Sequence, residues 1–593
     1  MVAFSPKPLH EVTRALAWVA GGRSTPDQVI TNAQCLDVYT ARTLHHKEVW
    51  IWGGRIAAVK AAGAFEPDGK TPVYDARGGL LAPGLFDPHL HVESSMVSVC
   101  AYAEAALLNG TTTIVCDSHE IANVCDEQGI VWMLEDAREA ALNVFLSVPS
   151  TVPATHPSIE TAGGEITPEK LGRLFDDYPE AIALGEKMDY LAVAAGDERA
   201  HALIATALER GLPVCGHLYG METVAAYAAS GVGDTHEAGE RDLAVALLEA
   251  GLWLFARGGP PGTPWNSLPE AIKAVTEAGC DPQRVCLCTD DREPDDLLNH
   301  GLDDVVRAAI TAGVPREQAW GMASLHPATR YGLDAELGGL GHSRRADIVL
   351  LDEDFRVRNT WLAGQLVVEQ GRITATLERA LAQPYRYPKA AYHTVKLPQA
   401  PPLVFDAPHR PTTLNVIRVT PGIVTEHAQV RFEAERPFEQ FMDEHALCYL
   451  TVLERHGRGG HAAHGVLQGF GLRRGAVASS VGHDAHNVVV AGDNEADMRL
   501  ALDAVRAGGV CVVAQGRVRA QVALPIAGLM SDERVQVVAG ETEALKAAWR
   551  AQGCTLPYMG FNLLPLSVIP ELRLTDKGLV KVSTLERLPL FQP

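Results

Sequence analysis

Residues 83–95 read Pro-Gly-Leu-Phe-Asp-Pro-His-Leu-His-Val-Glu-Ser-Ser, and an apolar run at 80–82 leads into them. Near the end of this stretch, His89 and His91 stand two residues apart. Side chains at i and i+2 of a β-strand point to the same face, so both imidazoles can reach one ion from a single edge. Such a pair also occurs for purely structural reasons. A metal site therefore requires further ligands at matching places in the chain.

Strand-like and helical patterns alternate from about residue 81 to 335. The predicted strands are 84–91, 112–117, 143–149, 181–186, 212–217, 231–236, 252–257 and 285–290. The predicted helices include 97–109, 127–141, 197–210, 221–230, 240–250 and 268–278. Eight βα repeats over about 250 residues indicate an α/β fold with a (β/α)₈ TIM-like barrel. A doubly wound sheet is the alternative, but no glycine fingerprint follows the first strand.

Shorter segments flank this barrel, which we place at residues 81–335. Residues 1–80 are predicted to hold an N-terminal helix and the first part of a small β domain. The second part of that domain is expected at 336–382, which makes it discontinuous. Pro-rich sequence at 383–402 predicts a linker. A C-terminal α+β domain is expected at 403–593.

The bulk composition excludes several classes of protein. The 593 residues carry a net charge of -22, which argues against a general binder of nucleic acids or anionic membranes. The eleven cysteines are scattered, with no CxxC pair, which suits a reducing cytoplasm. No apolar run reaches about 18 residues, so no membrane span is expected.

Potential metal ligands stand at the C-terminal ends of six predicted strands, the rim where barrel active sites form. One such residue is commonly a satisfied polar group, but six strand ends at one rim are hard to explain structurally. Histidines with carboxylates suit first-row metals such as Zn, Fe or Mn, and this set is large enough for two bridged ions. The candidates are His89, His91, Asp117, His119, Glu120, Glu186, His217, His236, Asp290 and Asp291.

These residue types point to hydrolysis. A bound divalent ion lowers the pKa of its water to about 7, which gives hydroxide at neutral pH. A carboxylate beside that water, Asp290, can accept its proton and pass it to a leaving group. A metal-bound hydroxide and a neighbouring carboxylate together are suited to hydrolytic attack on an sp² carbon. Arg257, at the end of strand seven, is predicted either to anchor a substrate or to pair with a carboxylate.

Several longer motifs are more specific than the histidine pair. They are the stretch 83–95, His-Glu-Ile-Ala-Asn-Val at 119–124, Cys-Thr-Asp-Asp-Arg at 288–292, Ser-Ser-Val-Gly-His-Asp-Ala-His-Asn at 479–487, Leu-Pro-Ile-Ala-Gly-Leu-Met-Ser-Asp at 524–532 and Val-Ile-Pro-Glu-Leu-Arg-Leu-Thr-Asp-Lys-Gly at 568–578. With these motifs, the chain resembles the amidohydrolase superfamily and, within it, the bacterial adenine deaminase family. The resemblance covers nearly the whole chain in the same order.

The resemblance implies a metal-dependent aminohydrolase of purine salvage, which acts on a cyclic amidine and converts adenine and water to hypoxanthine and ammonia. It implies two divalent ions, of Mn, Fe or Zn, bridged by Glu186. Lys187 is the rival for the bridging position, because many superfamily members use a carboxylated lysine. Strand neighbours point oppositely, so only one of the two can face the centre. The implied ligands are His89, His91, Glu186, His217, His236 and Asp290.

Other positions are expected to contact the purine. The resemblance places Asp117, His119 and Glu120 over the substrate ring, with catalytic roles. Glu93 and Asp291 are expected to bind substrate, together with Arg257. The expected protein is a cytoplasmic homo-oligomer, taken as a dimer, with a small purine substrate and with neither a nucleic-acid nor a membrane partner.

Four departures from the family pattern fall near the expected pocket. They are Leu218-Tyr219-Gly220 after His217, Ser118, Glu293, and Asp234-Thr235 before His236. The departures near His217 and Asp290 motivate one alternative, another purine or cyclic-amide hydrolase on the same scaffold. A second alternative is a metal-binding scaffold that recognises purines without turnover, against which the intact ligand set argues. A second cluster, His483, Asp484 and His486, is predicted either to cap a loop or domain contact or to contribute to the active-site rim or to a further metal.

Overall fold

The computed structural model of this chain describes residues 4–260, 263 and 265–592. Residues 1–3 and 593, at the ends of the expected terminal segments, lie outside the described residues. The central unit is an α/β barrel, which confirms the predicted fold class. Its eight strands are Leu85–Leu90, Thr111–Asp117, Asn143–Val148, Ala181–Lys187, Val214–Gly216, Asp234–Thr235, Trp253–Arg257 and Val285–Cys288.

The barrel strands are all parallel where they pair. Strands one to five form one ladder and strands six to eight form a second. Strand eight returns to strand one, since the Asp290 amide donates to the His89 carbonyl at 3.1 Å. The Thr289 hydroxyl also donates to Asp87 Oδ2 at 2.6 Å. These bonds bring the first and last predicted ligand positions together.

Helices surround the strands. They are Val99–Leu108, His119–Glu139, Pro168–Asp177, Tyr190–Ala195, Glu198–Leu208, Val224–Ala229, Arg241–Glu249, Leu268–Ala271, Lys273–Thr276, Pro294–Asn299, Leu302–Thr311, Arg316–Met322 and Leu325–Arg330. The helix predicted at 127–141 was wrong at its start, because helical structure already begins at His119 and is interrupted at Asp126, whose φ is 58°. Residues 119–124 are thereby held on a helix that points its first turn at the barrel rim.

A nine-stranded sheet lies at the N-terminal side of the barrel. Its strands are Gln28–Asp37, Arg42–Trp52, Arg55–Ala61, Val73–Asp75, Leu80–Pro83, Ile348–Leu351, Val357–Leu362, Gln365–Glu369 and Arg372–Ile373. The two chain segments meet where Leu80–Pro83 pairs antiparallel with Ile348–Leu351. The strand Gln28–Asp37 is bulged around Ala33, where its register with Arg42–Trp52 shifts. Helix Leu9–Ala20 precedes the first strand of this sheet in the chain, and helix Ala375–Leu381 follows its last strand.

The C-terminal region is mixed α and β. Its main sheet contains Thr412–Val419, Thr425–Phe432, Leu447–Leu453, Ala462–Gln468, Gly475–Gly482, Asn487–Gly492, Gly509–Ala514, Arg517–Ala523 and Phe591–Gln592. A second sheet contains Leu572–Thr575, Gly578–Lys581 and Glu586–Leu588. The helices are Phe438–Glu444, Glu495–Ala504, Val535–Ala551 and Tyr558–Asn562.

The C-terminal region packs directly on the barrel rim. The Ser531 amide donates to the Met96 carbonyl at 2.8 Å, and Arg534 Nε donates to Glu104 Oε2 at 2.6 Å. Apolar residues of both regions share one buried cluster. None of the helices within the described ranges is long and apolar enough to cross a membrane.

Candidate metal centre and active site

The six predicted metal ligands converge at the C-terminal ends of the barrel strands. His91 Nε2 lies 3.3 Å from Glu186 Oε1 and 3.2 Å from Asp290 Oδ1. On the other side, Glu186 Oε2 lies 2.8 Å from His217 Nδ1 and 3.4 Å from His236 Nε2. His89 Nε2 is 3.5 Å from Asp290 Oδ1. The two oxygens of Glu186 thus face two different groups of histidines.

The packing of the imidazoles fits bound cations. The rings of His89 and His236 stack with centroids 4.0 Å apart, and those of His217 and His236 are 5.0 Å apart. His91 Nδ1 lies 2.9 Å from the Asp117 carbonyl, so this nitrogen donates and Nε2 is left with its lone pair facing the carboxylates. His89 Nε2 is buried and has no hydrogen-bond partner within the part of the chain that the structure describes. Burying so many nitrogen and oxygen lone pairs without partners costs free energy. A bound cation would offset that cost by accepting these lone pairs.

Glu186, rather than Lys187, faces the centre. Lys187 is also fully buried, but its ammonium lies 2.5 Å from Asp189 Oδ1. The residue before them is a glycine for a steric reason, since a Cβ on Gly185 would meet Asp117 Oδ2 at 2.2 Å. That close approach lets the Glu186 amide donate to Asp117 Oδ2 at 2.8 Å. Asp117 therefore anchors the backbone that carries Glu186.

Arg257 lies between two carboxylates. Its Nη1 is 2.7 Å from Glu237 Oε1, its Nη2 is 2.9 Å from Glu237 Oε2, and Nη1 also donates to Asp290 Oδ2. Burial raises the pKa of Asp290, but Arg257 and the imidazoles of His89 and His91 outweigh burial and hold it well below its usual range. Sequence reasoning missed Glu237, although its place beside His236 at a strand end was a usable signal.

A second polar layer lies next to the cluster. His119 Nδ1 is 3.6 Å from both Asp117 Oδ1 and Glu186 Oε1. The Ser94 hydroxyl donates to Glu120 Oε1 at 2.6 Å and also contacts Asp291 Oδ1. The structure thereby places Asp117 beside His119 and joins Glu120 to Asp291 through Ser94. Ser94 was missed as a linking residue, although it belongs to the motif at 83–95.

Glu93 is completely buried beside this layer. Its Oε1 accepts from the Ile121 amide at 3.3 Å, while Oε2 has no partner among the described residues. Burial, followed by the charge of Glu120, raises the pKa of Glu93 to about 8. With a pKa of about 8, the Glu93 carboxyl keeps its proton at neutral pH.

The cavity above the cluster is closed by the C-terminal region. His483 and Asp484 line it together with His91, His217 and Asp290. Asp484 Oδ1 is 3.8 Å from His119 Nε2. The apolar lining from the same region consists of Ile423, Leu563, Leu566 and Ile569. Sequence reasoning missed these four, because isolated apolar residues in irregular segments carry no readable periodicity.

The four departures from the family pattern have separate structural roles. Tyr219 lines the cavity, with its ring 5.0 Å from that of His217. Glu293 pairs with Lys546 of the C-terminal region. Asp234 accepts from the Gly216 amide at 2.9 Å, behind the cavity. Ser118, also buried, precedes the helix that begins at His119. Of the four, Tyr219 is the one placed on the cavity wall.

A barrel with a histidine and carboxylate rim defines the amidohydrolase class, and residues 80–367 match the model of the amidohydrolase family. Residues 422–586 match the adenine deaminase C-terminal domain. The chain is 59% identical to adenine deaminase 2 of Bradyrhizobium sp. (strain ORS 278), covering 100% of both chains. It is also 59% identical to the adenine deaminase of Chelativorans sp. (strain BNC1), covering 100% of this chain and 99% of that one. The chain belongs to the adenine deaminase family, as the motifs predicted.

Among solved structures, the β-aspartyl dipeptidase of Fervidobacterium islandicum AW-1 is similar with a TM-score of 0.47 and 18% identity. The match covers 58% of this chain and 98% of that chain.

Proposed function

We propose that this protein is a metal-dependent aminohydrolase that converts adenine and water to hypoxanthine and ammonia. The observation that carries the proposal is the buried cluster of four imidazoles and two carboxylates beneath a cavity, in a chain 59% identical over its length to adenine deaminases. The water oxygen bonds to C6, the C6–N bond breaks, and the amino group leaves as ammonia.

Two divalent ions, of Mn, Fe or Zn, are proposed for this cluster. His89 and His91 would hold one ion, His217 and His236 the other, and Glu186 would bridge them with Asp290 as a further ligand. Supporting this, the donor atoms of His89, His91 and Glu186 lie within 4.8 Å of one another, and so do those of Glu186, His217 and His236. When bound, such ions act as Lewis acids that make water a nucleophile at neutral pH.

We assign the proton transfers to carboxylates around the cavity. Asp290, held ionised by Arg257, accepts a proton from the attacking water and delivers it to the departing amine. Glu120, which the Ser94 hydroxyl holds in place, hydrogen-bonds and protonates the ring. His119 and Asp291 are proposed to contact the ring from the same side. Arg257 is a positioning residue whose bonds to Glu237 fix Asp290.

Asp117 is proposed to act through other groups. Its carboxylate accepts a hydrogen bond from the Glu186 amide. Its backbone carbonyl accepts from His91 Nδ1, which fixes the tautomer of that imidazole. These contacts orient the metal ligands rather than the substrate.

The protein is further proposed to be a homodimer in the cytoplasm. The eleven free cysteines fit a reducing compartment.

One assay tests the reaction against its alternatives. The purified protein is loaded with Mn, Fe or Zn, and the ultraviolet spectra of adenine, guanine, adenosine and a hydantoin are followed. We expect conversion of adenine, with hypoxanthine and ammonia formed in equal amounts. Turnover of another ring but not adenine would favour a different cyclic-amide hydrolase. Binding without turnover of any ring would favour a purine-binding scaffold.

A further inference from the structure

We propose that His483, from the C-terminal domain, hydrogen-bonds through its Nε2 atom to a purine ring nitrogen and so orients the substrate. The inference rests on the deamination proposed above and assigns a specificity-determining contact to it. His483 lines the same cavity as the metal-ligand cluster. It lies on the wall contributed by the C-terminal domain, so the barrel alone would present an incomplete site.

The first support is an unused buried nitrogen. His483 is 3% exposed, and its Nε2 atom has no hydrogen-bond partner among the described residues. Buried side-chain nitrogens nearly always have a partner, so a group absent from the polypeptide is expected here. The ring that carries this nitrogen lines the cavity, where a purine would lie.

The second support is the way the rest of the side chain is fixed. The His483 amide donates to the Asn562 carbonyl at 2.9 Å. Its Nδ1 lies 3.4 Å from Asp484 Oδ1, and its ring packs against His486 with centroids 5.2 Å apart. Backbone, ring face and Nδ1 are therefore all engaged within the protein. Only Nε2 is left for a ligand, and its direction is set before the ligand binds.

The third support is the match between this wall and a purine. Leu563, Leu566 and Ile569 provide apolar surface next to His483 in the cavity lining. Flat heteroaromatic rings bind between apolar side chains and are oriented by a few polar groups at their edges. Purines present N3 and N7 as acceptors and N9–H as a donor; N7 lies beside the amino group at C6, whereas N3 and N9 lie on the far side of the ring system. An imidazole nitrogen can pair with any of these atoms.

The test combines side-chain deletion with ring-atom deletion in the metal-loaded, full-length enzyme. His483→Ala and His483→Gln are compared with the wild type on adenine, 3-deazaadenine, 7-deazaadenine and 9-methyladenine. Isothermal calorimetry with hypoxanthine gives a measure of binding that does not depend on turnover. His461→Ala is the control, since His461 is exposed in the same domain. Metal content and circular dichroism are recorded for every variant.

We expect His483→Ala to raise KM and to weaken hypoxanthine binding by about tenfold or more. For one of the three analogues, wild type and variant should have equal kcat/KM, because the partner atom is already missing. His483→Gln should recover part of the loss, and His461→Ala should match the wild type. An equal loss on adenine and on all three analogues would overturn the inference. So would unchanged binding, or a loss of metal or fold in both His483 variants, which would make the residue structural.

Failure of the inference is distinct from failure of the proposed function. A wild-type enzyme that does not deaminate adenine would refute the proposed function. The affinities of His483→Ala and the wild type for hypoxanthine could still be compared, and would test the inference separately. Normal wild-type turnover together with unchanged binding by His483→Ala would refute the inference alone.

Discussion

Replacing Arg257 by glutamine removes the cation from a buried chain of charges. The guanidinium joins Glu237 to Asp290, and the side chains of Arg257, Glu237 and Asp290 are 6%, 4% and 5% exposed. Without the guanidinium, two nearly buried carboxylates remain on the cavity wall with no cation between them. Glutamine preserves much of the packing, so the experiment measures mainly the missing charge.

The expected destabilisation follows from burial. Breaking a buried ion pair by removing one partner costs about 3–5 kcal/mol. For cooperative units of 150–250 residues, 1 kcal/mol shifts the melting temperature by roughly 2–4 °C, which gives a decrease of about 10 °C here. Because Arg257 keeps the pKa of Asp290 low, this stabilisation exists above the unfolded carboxylate pKa of about 4 and is lost as the pH falls below it.

Differential scanning calorimetry of the metal-free protein at neutral and acidic pH measures the effect. The double variant Glu237→Gln with Arg257→Gln should regain part of the stability, because one unpaired carboxylate has been removed. Arg241→Gln is the matched control, since Arg241 pairs with Asp242 at 2.8 Å while the two are 47% and 73% exposed. That control should melt with the wild type.

Two outcomes would refute this reasoning. One is an Arg257→Gln protein that melts within about 2 °C of the wild type at neutral pH, well below the expected shift. The other is a double variant that is less stable than Arg257→Gln, because the unpaired Glu237 would then not be the source of the cost.

Three further predictions concern single carboxylates. Asp290→Asn should lower kcat at least about a hundredfold while metal analysis finds the ions still bound, and near-normal activity would contradict the proton-transfer role. Glu186→Gln should reduce the metal content measured by elemental analysis, because the bridging charge is lost; full occupancy would argue against bridging. Burial raises the pKa of Glu160 to about 7, so its charge destabilises the fold as pH rises from about 4.5 to 7. Relative to the wild type, Glu160→Gln should therefore gain roughly 3 kcal/mol over that range, seen as a rising difference in melting temperature; a constant difference would disprove it.

The barrel could be predicted because its signals are local. Short apolar runs alternate with segments of helical periodicity, and each βα repeat contains both patterns within a short stretch of sequence. The helix at Pro168–Asp177 was not among the predicted helices, although Thr167 caps it and Pro168 occupies its first turn, which are readable signals. The start of the helix at His119 was missed because Asp126 breaks its periodicity.

The sequence by itself determined the barrel, the family and the residues available as ligands, since these follow from short-range patterns and motifs. Only the tertiary structure decided which atoms meet. The bond from Arg257 to Asp290 joins different strands, and His483 reaches the cavity from another domain. Such contacts depend on how strands close and domains pack, which no periodicity within one segment encodes. The opening pair, His89 and His91, becomes part of a metal centre because barrel closure places Asp290 and Glu186 beside it.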